Sequence, residues 1–159
     1  MLNLKIITVG SLKESYLKDA VAEYSKRLSA FANTEIVELK EYKLPDNPSA
    51  SEIAKALDDE AERISKVIPQ KAYKIALCVE GKQLSSEELA EKIESITQTS
   101  GTLCLIIGSS HGISEALKNI CDYRFSVSKL TFPHQLMRVM LLEIIYRAMN
   151  IIKGTKYHK

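Results

Sequence analysis

His134 and Arg138 stand one helical turn apart in SKLTFPHQLMR (128–138), directly ahead of the apolar stretch VMLLEII. An imidazole exchanges protons near neutral pH, and a guanidinium holds a carboxylate, a phosphate or a developing ring anion through its N–H donors. At about 100° per residue both side chains fall on the stripe that continues through Leu141, Leu142 and Ile145. That stripe is polar for one turn and apolar after it. It predicts the ring and the guanidinium at the mouth of a pocket whose floor is the core. Pro133 suits the first turn of a helix, where a missing N–H costs nothing, and the free amides there attract anions. The structural alternative pairs Arg138 with a local acid and leaves His134 as a helix-start residue.

A second group closes the chain. In TKYHK, Tyr157 and His158 are surrounded by Lys153, Lys156 and Lys159. Aromatic rings stack on bases and lysines contact phosphates, so this tail is a candidate RNA contact, against the ordinary expectation that a terminus frays. Three loops follow apolar strands and bear most on ligand binding: LCVEGKQLS (77–85), IIGSSHGIS (106–114) and VSKLTFPHQ (127–135). Gly108 and Gly112 permit a close backbone approach, yet GSSHG is neither GxGxxG nor a phosphate loop with a following Lys-Ser/Thr. It reads equally well as a strand-to-helix turn with His111 exposed. Gly81 is open to the same two readings, and Glu80 reads as a solvated acid.

The elements that must position these residues alternate. LKIITV (4–9) reads as a buried strand, and SLKE behind it as a capping box of Ser11 and Glu14. Leu17, Ala20, Val21, Tyr24 and Leu28 then mark one helix face. EIVEL (35–39) alternates like a half-exposed strand, and Ser49 with Glu52 opens a helix that stops at Pro69. YKIALCV (73–79) is predicted as a strand ending at Gly81, and Ser85 with Glu88 caps the next helix. TLCLII (102–107) is a strand, a short helix starts near Ser114, YRFSV (123–127) is the last strand, and a helix runs from Pro133 to about Lys153. This order predicts one α/β domain over 1–159, a mostly parallel sheet flanked by helices, with ligands at the carboxyl ends of the strands. The final helix carries Met137, Met140, Ile144 and Ile152 beyond its main stripe. It needs cover from a second helix or from another subunit, and the subunit is the favoured reading.

With 159 residues, 45% hydrophobic and 26% charged, the chain can bury a core without metals or disulfides. No apolar run spans a bilayer, and the N-terminus lacks the pattern of a signal peptide, so a cytosolic protein without a membrane partner is expected. Cys78, Cys104 and Cys121 form no CxxC pair and no ligand spacing, and read as small core residues with no metal site. A net charge of +2 neither announces nor excludes a nucleic-acid partner.

The glycine loop after LCLIIG, the run SKLTFPHQLMRVMLLEIIYRA, the terminal YHK and the opening LKIITVGSLKESY together resemble the ribosomal RNA large-subunit methyltransferase H family of small SPOUT-class enzymes. The resemblance spans essentially the whole chain. It implies a SPOUT-type α/β fold whose C-terminal segment threads a trefoil knot, a homodimer, and S-adenosylmethionine as cofactor. It further implies methyl transfer to N3 of a pseudouridine in 23S rRNA, in the stem-loop that faces the small subunit of the assembled 70S ribosome. Carried over by motif, Leu77, Gly108, Val127, Ser128, Lys129, Leu130, Thr131 and Phe132 contact the cofactor, largely through backbone. Arg138, Arg147, Lys156, Tyr157 and His158 face the RNA, with His134 beside them. The catalytic set is His134, Arg138, Tyr157 and His158: His158 or His134 takes the ring proton and Arg138 steadies the ring anion. This chain departs from the pattern at Ser109, often a second glycine, and at Cys78, often acidic, which bears on cofactor affinity. Two other readings compete: a Rossmann-like enzyme using Gly108–Gly112 for a nucleotide phosphate, and an RNA-binding assembly factor without turnover.

Overall fold

Both faces of the first strand are apolar, with Leu2, Leu4 and Ile6 on one and Ile7 and Val9 on the other, all buried. A strand dressed this way belongs inside a parallel sheet covered by helices on both sides. The computed structural model, which describes all residues 1–159, has that arrangement. The elements are β1 (Leu2–Val9), α1 (Ser15–Leu28), β2 (Ala32–Leu39), α2 (Ala50–Val67), β3 (Tyr73–Lys82), α3 (Ser86–Thr99), β4 (Thr102–Ile107), α4 (Glu115–Ile120), β5 (Tyr123–Phe125) and α5 (His134–Lys153). The sheet order is β2-β1-β4-β3-β5 and every neighbouring pair is parallel.

Alternation along the strands divides the core in two. Leu103, Leu105 and Ile107 of β4 join Leu2, Leu4 and Ile6 beneath α1, α3 and α5, while Cys104 and Ile106 face Ile64 of α2 and Leu117 of α4. Helix α5 lies between α1 and α3 and buries Leu141, Leu142, Ile145, Ala148 and Met149. The cover that its apolar surface demands thus comes largely from the chain's own helices. No helix is long and apolar enough to cross a membrane.

Capping boxes form at Ser49 with Glu52 and at Ser85 with Glu88. The one expected at Ser11 does not. Helix α1 starts at Ser15 after Glu14, with no side-chain cap; the segment before it leaves a turn at Gly10 (φ 90°) and donates the Lys13 N–H to Gln135 Oε1 at 3.2 Å. Strand β5 stops at Phe125, since Ser126 N–H closes onto the Lys82 carbonyl and the chain leaves the sheet. Pro133 is the residue just outside α5 and not its first helical one.

Gly81 lies inside β3, where the strand bulges: both Leu77 and Lys82 register against Phe125. A Cβ on Gly81 would stand 2.7 Å from the Phe125 carbonyl carbon and 2.8 Å from the Arg124 carbonyl carbon and the Phe125 nitrogen, all backbone of β5. Gly81→Ala must push β5 away. Its expected cost is about 1–3 kcal/mol, as for other overpacked sites, read as a lower urea midpoint at unchanged denaturant slope.

Candidate active site

Because all strands run the same way, their carboxyl ends share one edge of the sheet, and the loops after β3, β4 and β5 meet there around a cavity of about 470 Å³. Leu77, Gly108, Val127 and Ser128 line it, as do Leu130, Thr131 and Phe132. Lys129 does not; it is exposed. His134 and His111 border this cavity and also a second one beside it, lined mostly by polar residues.

The loops are fixed by their own hydrogen bonds. A Cβ on Gly108 would meet the Gly112 carbonyl oxygen at 2.2 Å, so the turn can close only on a glycine there. Gly112, at φ 87°, donates its N–H to the Ser109 carbonyl at 2.9 Å. Ser109 is buried in the wall of the cavity. Ser126, also buried, donates its hydroxyl to the Ser128 carbonyl at 2.9 Å, and Ser128 Oγ accepts the Leu130 N–H at 3.0 Å. Sequence reasoning passed over Ser126; its only signal is a small hydroxyl directly after an apolar strand. Glu80 is exposed, as expected of a solvated acid, and it pairs with Lys118, which holds its carboxyl below the usual range. Burial, followed by the nearby Glu80 charge, raises the Cys78 thiol.

Arg138 is not at the cavity mouth. Its side chain is turned inward, 1% exposed, with Nη1 donating to Glu38 Oε2 at 2.6 Å and Nη2 to the Gly10 carbonyl at 3.0 Å. The physical reason is supply of acceptors: β1 and β2 end side by side and deliver a carbonyl and a carboxylate under the first turn of α5. Nε has no partner. His134, by contrast, is half-buried at the boundary of the two cavities.

The tail is folded back along α5. Gly154 takes the left-handed conformation (φ 69°) that ends the helix, and Thr155 N–H returns to the Asn150 carbonyl. Thr155 Oγ1 bonds Asn150 Oδ1 at 2.6 Å, which locks the turn. Tyr157 then donates its hydroxyl to Glu143 Oε2 at 2.8 Å, Arg147 donates to Glu143 Oε1 at 2.7 Å and lies over the Tyr157 ring, and His158 Nε2 meets Glu87 Oε1 at 2.9 Å. Lys156 is exposed. Glu143 is nine residues beyond His134, which places Tyr157 about 13 Å down the helix axis at about 1.5 Å per residue. Neither Tyr157, His158 nor Arg147 lines the cavity of its own chain. No group of three or more His, Cys, Asp or Glu side chains is arranged to hold a metal ion.

Glu143 also bears on the surrounding phenols, after burial. Burial first, then this carboxylate, pushes the Tyr24 hydroxyl up to about 12, and the same causes raise Tyr157. The folded state keeps the Tyr24 proton longer than the unfolded chain does, so the stability this confers is complete below pH 10 and lost as the pH rises through about 12. An alkaline titration followed by phenolate absorbance is expected to show a late phase near 12, and Glu143→Gln should move that phase to lower pH. A titration identical to wild type would mean that Glu143 does not set it.

The comparisons agree over the full chain. The family model for SPOUT methyltransferases matches residues 2–158. A ribosomal RNA large subunit methyltransferase H of Streptococcus agalactiae is 48% identical over 159 residues, covering 99% of this chain and all of that protein. Its namesake from Bacillus pumilus is 46% identical over the same lengths. Among solved structures, the tRNA (m1G37) methyltransferase of Aquifex aeolicus superposes with a TM-score of 0.52 at 14% identity, over 98% of this chain and 73% of that one, a likeness of fold. With its loops after β3, β4 and β5 closed around one cavity, this chain belongs to the ribosomal RNA large subunit methyltransferase H family of SPOUT methyltransferases.

Proposed function

We propose that the chain, acting over 1–159 as one SPOUT domain, methylates N3 of a pseudouridine in 23S rRNA, using S-adenosylmethionine, on the subunit-interface stem-loop of assembled ribosomes in the cytosol. The observation that carries this reading is the cavity built by three strand-end loops in a chain of this family. The residues present suit the cofactor. Leu77, Ile107, Phe125 and Val127 offer apolar walls for a nucleoside, the backbone of 108–112 and 126–130 supplies polar groups, and about 470 Å³ is within the range of small-molecule sites. A phosphate is a poorer match at the glycine loop, because α4 behind it has six residues and opens with Glu115. That favours a nucleoside over the phosphate-loop reading.

S-adenosylmethionine, once held by these loops, supplies an electrophilic methyl group for in-line displacement. The chain's own work is alignment, exclusion of water and removal of the N3 proton. His134 is the candidate base, since it borders both the cofactor cavity and the adjoining polar cleft. Arg138 acts as a positioning residue: its Nη2 holds the Gly10 carbonyl, and His134 Nε2 lies 3.7 Å from where a Cβ on Gly10 would be. Tyr157, His158, Arg147 and Lys156 form the RNA-facing group at the other end of α5, with His158 held by Glu87 in the single chain. The homodimer has support in apolar side chains at the start of α5 and the cavity rim, Leu130 at 71% and Leu136 at 38% exposed, with Tyr16 of α1 at 67%. The knot belongs to this reading as a family property.

Labelled S-adenosylmethionine and ribosomes from a strain lacking the modification test the proposal, with free rRNA alongside. Label is expected at a single 23S pseudouridine. Tyr157→Ala/His158→Ala should lose transfer and keep cofactor binding, and His134→Asn should lower kcat by about 10²- to 10⁴-fold. Gly108→Ala should weaken cofactor binding by about tenfold or more, from a steric cost of about 1–3 kcal/mol. Cofactor binding without any RNA labelling would favour the assembly-factor reading, and no cofactor binding would overturn the site.

A further inference from the structure

The second cavity, about 770 Å³, opens between the loops that follow β1 and β2 and shares His111 and His134 with the first. Its walls are anchored with unusual care for exposed loops. On the β1 side, Lys13 N–H is held by Gln135 Oε1, and the Gly10 carbonyl by Arg138. On the β2 side, Tyr42 N–H donates to Glu60 Oε2 at 3.1 Å, a carboxylate 4% exposed, and Arg63 of α2 donates to the Lys40 carbonyl. The side chains on these walls are left free. Lys13, Lys40 and Lys43 are exposed, and the lysine ion pairs of the molecule involve Lys5, Lys66, Lys74 and Lys118 instead. Glu38 is already neutralised by Arg138. Glu41 and His134 approach the same point beside Gly10, with Glu41 Oε2 and His134 Nε2 each 3.7 Å from it.

A rigid cleft with unpaired lysines, and with a carboxylate and an imidazole next to the methyl-donor cavity, offers what a nucleotide needs. Phosphates require cations, and the ring N–H and ribose hydroxyls require acceptors. We propose that this cleft seats the acceptor RNA, with Lys13, Lys40 and Lys43 on the phosphates flanking the target nucleotide and its base turned to His134. The proposal deepens the rRNA methyltransferase reading and rests on it. It places RNA contacts on the β1 and β2 loops, away from the aromatic tail.

The test measures methyl transfer to ribosomes across a salt series for wild type, the triple variant K13A/K40A/K43A, its charge-keeping counterpart K13R/K40R/K43R, and Lys55→Ala on the exposed side of α2 as control. Each phosphate contact to single-stranded RNA contributes about 0.7 to the salt slope. The alanine triple should therefore raise the KM for ribosomes and flatten the dependence of log KM on log salt by about 2, with S-adenosylmethionine affinity unchanged. The arginine triple should restore both quantities, and Lys55→Ala should match wild type. A wild-type KM and slope in the alanine triple would overturn the cleft while leaving the methyltransferase reading intact. So would a parallel loss of cofactor affinity, which marks the lysines as structural. If wild type labels no rRNA at all, the underlying reading fails and the cleft's role falls with it.

Discussion

A guanidinium sealed from water constrains this molecule more than any other group. Removing a charge from solvent costs several kcal/mol unless its donors find well-placed acceptors, and Arg138 is 1% exposed. Its acceptors come from two strand ends and its own attachment from α5: the Gly10 carbonyl after β1, and Glu38 near the end of β2. The three segments cannot drift apart without leaving that charge unpaired. Since His134 lies one turn earlier on the same helix, whatever fixes Arg138 also fixes the imidazole. The asymmetry of the pair matters. The Glu38 side chain is 46% exposed and would be rehydrated if released, whereas Arg138 would not. The stringency therefore resides in the arginine's surroundings and makes the β1 and β2 loops hold still.

The parallel sheet supplies the rest of the geometry. Five strands in one direction bring every following loop to one edge, where the order β2-β1-β4-β3-β5 sorts them into two groups. The loops of β3, β4 and β5 enclose the apolar-walled cavity, and those of β1 and β2 frame the polar cleft. His134, entering with α5, borders both. A group-transfer enzyme needs its two reactants in separate seats with a short shared boundary, and this topology provides such a boundary without any long loop.

Periodicity made most of the fold legible. Apolar runs marked β1, β3 and β4, alternation over 35–39 marked the latter part of β2, and the boxes Ser49–Glu52 and Ser85–Glu88 marked helix starts, because these signals are local and the box partners lie three residues apart. The same pattern at Ser11 and Glu14 did not form a box: the helix starts later, after Glu14, and the segment before it is tied to α5 through the Lys13 N–H and Gln135. The family motif brought the glycine loop and the Val127–Phe132 run together, and the structure sets all of that run except Lys129 around one cavity. Arg138 was placed on the correct helical stripe and at the wrong depth. The partner that draws it inward is 100 residues earlier, and nothing in the spacing reveals it. The tail's fold-back depends likewise on Asn150, Thr155 and Glu143 acting together, although Gly154 was a usable stop signal.

Charge distribution gives a reason why the protein needs so little of it overall. The net charge is +2, too small for strong attraction to bulk RNA. Many exposed cations are cancelled locally, as with Arg27 and Glu23, Arg63 and Asp59, and Arg147 and Glu143. Pairing within single helices removes non-specific attraction there, since a screened ion pair presents almost no field beyond about 10 Å. The lysines around the polar cleft and the tail lysines beyond α5 are among those left without an ion pair. On the proposed reading, a few cations placed on anchored loops suit recognition of one shaped RNA element, where a large basic face would weaken that discrimination.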